Sequence, residues 1–78
     1  MRREFQSQLD NLMHVAQEWI EADDKLPFER REQVSYLEDE IFFARQHDEI
    51  GNLAEADNCW KEAQRIACGL KIISATVR

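Results

Sequence analysis

The side chains in this 78-residue sequence with the types to do chemistry are His14, His47 beside Asp48, Cys59, Cys68 and the acidic run from Glu38 to Glu40. A metal centre would need several of them to converge, as HExxH or ExxH does on a helix, and neither pattern occurs. The His47 and Asp48 pair is of a metal-binding kind but has no further ligand at suitable spacing. Successive residues step 100° around a helix, so Glu38, Asp39 and Glu40 point in three directions and not at one ion. His14 falls about 140° from Leu9, on the polar side of its helix, and reads as an exposed residue. His47 closes a helix one turn after Phe43, where an imidazolium suits the dipole, so its reading is structural or interfacial. Cys59 and Cys68 are separated by about 13 Å of helical rise, too far for a disulfide. Cys59 lies among apolar residues and reads as a small buried hydrophobe, while Cys68 lies on a flank. Gly51 and Gly69 stand alone and make no phosphate loop. The sequence therefore predicts no catalytic residue, no metal and no cofactor, and the chain is read as a non-enzyme.

Composition narrows the partners. The formal net charge is -6, which disfavours direct binding to nucleic acid or to an anionic membrane surface. No apolar run of signal-peptide or membrane-spanning length occurs, and two thiols without a CxxC pair fit a reducing compartment, so a cytoplasmic location is expected. The charge is uneven: from Asn58 onward Glu62 is the one acid, against Lys61, Arg65, Lys71 and Arg78. Glu18, Glu21, Asp23 and Asp24 gather at the end of the first helix, where negative charge opposes the dipole. That patch supports an alternative function, an acidic inhibitor that mimics nucleic acid and blocks a basic site.

The elements that carry these residues follow from a helical apolar period and sparse punctuation, one proline and two glycines. The chain reads as a single all-α domain over residues 1–78, near the lower size limit for an independent core. The first helix is predicted over about 3–22, with Phe5, Leu9, Leu12, Met13, Ala16, Trp19 and Ile20 in a stripe about 120° wide. Pro27 suits the first turn of a second helix over about 27–47, with Glu29 favourable near its start. Val34, Leu37, Ile41 and Ala44 form its seam, but Tyr36 and Phe43 lie about 110° to one side and Phe42 well round the other way. One stripe cannot hold them all. Either this helix is central, or some aromatics await another chain. Gly51 can end it in the left-handed conformation, and Asn52 with Glu55 forms a capping-box pattern for a third helix over 53–68 or beyond. That helix has Leu53, Ala56, Cys59, Trp60, Ala63, Ile66, Ala67 and Leu70 on its apolar side. Past Gly69, β-branched residues leave both continuation and termination open. Trp19, Leu37, Ile41, Trp60 and Ala63 are expected in the core.

The stretch "GNLAEADNCWKEAQRI" resembles the second half of a tetratricopeptide repeat, with Gly51 at the turn, Ala56 and Ala63 at the small positions and Trp60 at the aromatic one. Upstream, Ala44 and Phe43 stand where that family has a small residue and leucine, while Glu40 and His47 depart from its tryptophan and tyrosine; Cys68 falls near its proline. The resemblance covers residues 38–66. It implies an antiparallel hairpin packed closely through its alanines, with an additional N-terminal helix. Such units need neighbours to bury their faces. The expected function is thus a small protein-protein interaction module: a homodimer or other homo-oligomer, subunit, adaptor or chaperone-like partner that binds itself or another helical protein through apolar helix faces. Tyr36, Phe42, Phe43 and His47 are its candidate interface residues, with Ile72 and Ile73 as a second patch.

Overall fold

The computed structural model describes residues 2–22 and 27–70. It is all-α, with α1 at Arg3–Ala22, α2 at Phe28–Glu49 and α3 at Leu53–Gly69. Ile72 and Ile73, and Asp23 and Asp24 of the acidic patch, lie outside the described residues.

α1 buries the face that its period defines. Leu9 and Ala16 are fully enclosed, Phe5 and Leu12 nearly so, and Met13, Trp19 and Ile20 pack against them. α2 contributes Val34, Leu37, Ile41 and Ala44, all without exposed surface, and α3 contributes Ala56, Ala63 and Ala67, with Leu70 just beyond its end. Burying a leucine or isoleucine in such a cluster stabilises the fold by about 1.5–3 kcal/mol. Two expectations are corrected here. Trp19 and Trp60 are only partly buried at the edge of the core, since an indole is large and rarely fully enclosed. Leu53, expected on the apolar side, opens α3 and is exposed.

The ends show how the sequence sets the boundaries. Pro27 stands one residue before α2 with ψ 150°, not within its first turn as expected, and its carbonyl accepts from the N–H groups of Arg30 and Arg31. α2 runs two residues past the predicted 47. Its end is a Schellman closure in which Asn52 N–H donates to the His47 carbonyl at 2.8 Å and Gly51 N–H to Asp48 at 3.2 Å. Gly51 has φ 87°, a conformation that costs a side-chain-bearing residue more than glycine. The Asn52 side chain accepts from Glu55 N–H at 3.5 Å, so half of the capping box forms. The reciprocal half does not, because Asn52 N–H is already committed to His47 and the Glu55 carboxylate accepts from Asn58.

α2 is the central helix. The start of α1 lies beside the end of α2, and the end of α3 beside the start of α2, so both neighbours run antiparallel to it. α2 and α3, joined by the short turn at 50–52, form a helical hairpin. α1 meets α3 at its N-terminal end, where the Phe5 and Trp60 rings approach edge to face at 6.1 Å.

Candidate interaction surface

Two polar or amphipathic arrangements flank the core, and one of them was not anticipated. Asp48 continues the inward row Val34, Leu37, Ile41, Ala44, and it has no exposed surface. Its Oδ1 accepts from Arg2 Nε at 2.7 Å, and its Oδ2 accepts from the Arg2 backbone N–H and from Gln6 Nε2, each at 2.9 Å. Burial pushes the Asp48 carboxyl up, but the hydrogen bonds from Gln6 and Arg2 outweigh it and lower the pKa to about 2. The cover is one side chain thick, since Arg2 itself is 36% exposed. Arg2 also reaches Asp57 at 3.1 Å and lies over the Phe5 ring at 4.2 Å. Arg45 donates to Gln6 Oε1 at 2.8 Å and pairs with Asp10. This network pins the first turns of α1 to the last turns of α2. Its signal was present in the sequence as an acid in phase with the apolar seam, with Arg2 and Gln6 one turn apart.

The outward side of α2 is the second arrangement. Tyr36 is 62% exposed, Phe42 49%, Phe43 46% and Ile50 75%. Phe42 and Phe43 touch edge to face, with centroids 5.9 Å apart. Tyr36, Phe43 and Ile50 recur every seven residues and so line one side of the helix over about 21 Å. Ile50 was not among the residues singled out from the sequence; its spacing from Phe43 was the available clue. His47 is partly buried, and its Nδ1 is enclosed without a hydrogen-bond partner. On the α3 side, Tyr36 also borders a shallow groove of about 390 Å³ with Gln33, Glu40, Glu62, Arg65 and Ile66.

The remaining candidates are dispersed. His14 Nε2 lies 3.0 Å from Glu18 on the exposed surface of α1, and Glu21 is exposed. Cys59 and Cys68 are partly buried, and burial together with Glu40 pushes the Cys59 thiol above its usual range, which keeps it protonated and a poor nucleophile. No group of three His, Cys, Asp or Glu residues among the described ones could hold a metal ion. None of the described helices is long and apolar enough to cross a membrane.

Comparison with family models, with curated proteins and with solved structures finds no match to this chain. Its class rests on its own architecture, all-α with three helices among the described residues, built around a helical hairpin.

Proposed function

We propose that this chain is a small non-enzymatic interaction module that binds a protein partner through the outward face of α2. The observation that carries the reading is the cluster Tyr36, Phe42, Phe43 and Ile50, all exposed on the helix that already packs on two neighbours. Aromatic side chains offer large contact area at little entropic cost, and clusters of them favour interfaces. The reading also draws on the tetratricopeptide resemblance of residues 38–66, in which a single unit is completed by a neighbour. The compartment we assign is the cytoplasm, where Cys59 and Cys68 stay reduced. A homodimer, a subunit of a larger assembly, an adaptor and a chaperone-like partner are the forms such a module takes.

Light scattering across a concentration series, on the parent and on Phe43→Ala, tests self-association, and nitration of Tyr36, the one tyrosine, tests the surface. Free reaction of Tyr36 in the monomer, with protection on complex formation, supports the reading. A monomer at every concentration whose Tyr36 resists nitration overturns it. Association that dissolves steeply with salt and ignores Phe43→Ala points instead to the acidic surface of Glu18 and Glu21 and to a nucleic-acid mimic.

A further inference from the structure

Among the exposed rings sits a carboxylate. Asp39 is three residues after Tyr36, three before Phe42 and four before Phe43, which places all four side chains on one face of α2. It is exposed, and among the described residues it makes no ion pair or hydrogen bond. Glu32, one turn before Tyr36, and Glu49, seven residues after Phe42, are also exposed and unpaired at the two ends of this face. Arg31, toward the Phe42 edge, has an interaction of its own.

This charge decides which occupant fits. A symmetric pairing of two copies centred on this face would set Asp39 against its own counterpart and strip water from two like charges. A neutral apolar helix would bury Asp39 without compensation. A cation between apolar anchors satisfies the carboxylate and the rings together.

We propose that the face formed by Tyr36, Asp39, Phe42 and Phe43 takes a basic amphipathic helix, whose apolar side chains lie on the rings while an arginine or lysine reaches Asp39. The proposal rests on the interaction reading above and names the partner chemistry for the same surface. Glu32 and Glu49 form an acidic rim that steers such a helix toward the face. The contact is of the helix-on-helix kind, with anchors recurring at helical spacing.

The test uses the full chain and fluorescence anisotropy with a labelled helical peptide of about 18 residues, about 27 Å long, carrying leucines on one face flanked by arginines. A second peptide has glutamine for each arginine. The arginine peptide is expected to bind at least about tenfold more tightly. Asp39→Asn should bring that ratio toward one with little change for the glutamine peptide, and Phe43→Ala should weaken both by about tenfold or more. Glu18→Gln, on α1, should leave the ratio unchanged. If it lowers the ratio as much as Asp39→Asn does, the attraction is diffuse and the proposal is overturned. Equal binding of the two peptides, or self-association of the chain that depends on Phe43, overturns the basic partner but leaves the aromatic interface standing. Should neither peptide bind, with the chain monomeric and Phe43→Ala silent, both readings fall.

Discussion

The two faces of α2 meet the same problem with different outcomes. On the inward face, an aspartate lies in an apolar row, and Arg2 and Gln6 from α1 satisfy both oxygens of Asp48. On the outward face, Asp39 lies among Tyr36, Phe42 and Phe43 with no counterpart among the described residues. A carboxylate within an apolar row thus acts as a specification for what must cover it. Inside, that specification is met by the chain's own first turns.

Substitutions on the two faces should separate accordingly. Leu37→Ala, at a site with no exposed surface, is expected to cost about 2–5 kcal/mol and to leave so small a domain largely unfolded, as read by chemical denaturation. Asp48→Ala should cost about 2 kcal/mol, because it removes charged hydrogen bonds from a covered site. Hydrogen exchange should then rise in α1 more than in the hairpin; uniform acceleration would mean that the network does not act as a local clamp. Acid should reproduce this loss. The folded pKa of Asp48, about 2, lies below its ordinary 3.8, so its contribution is present above pH 3.8 and disappears as pH falls through about 2. Trp60 fluorescence, through its contact with Phe5, should report α1 leaving over that window. Phe43→Ala is expected to be the mildest for stability, within about 0.5 kcal/mol, while weakening association. A destabilisation as large as that of Leu37→Ala would erase the distinction between the two faces.

The helices were legible because their apolar period is regular: seven of seven stripe residues in α1 lie in the core or pack on it. α2 resisted the same treatment, and its irregularity proved informative, since Leu37 and Ile41 face its neighbours while Phe42 and Phe43 face water. The Asp48 network was not found in advance. Periodicity weighs apolar residues and passes over an acid in their row, and its partners lie more than forty positions away. The tryptophans were placed too deep because a helical wheel gives direction but not the depth of the layer above. Asn52 shows a further limit, since a capping motif competes with the closure of the preceding helix for the same N–H.

The separation of 46 positions between Arg2 and Asp48 also bears on how the chain acquires its shape. The hairpin is closed by a short turn and pays little loop entropy, so it nucleates locally, whereas α1 can settle only once the end of α2 exists. During synthesis α1 emerges before the hairpin that covers it, leaving Leu9 and Leu12 uncovered for an interval in which apolar surface promotes aggregation. Weakening the clamp would lengthen that interval, so its variants should show their first defect as aggregation during expression.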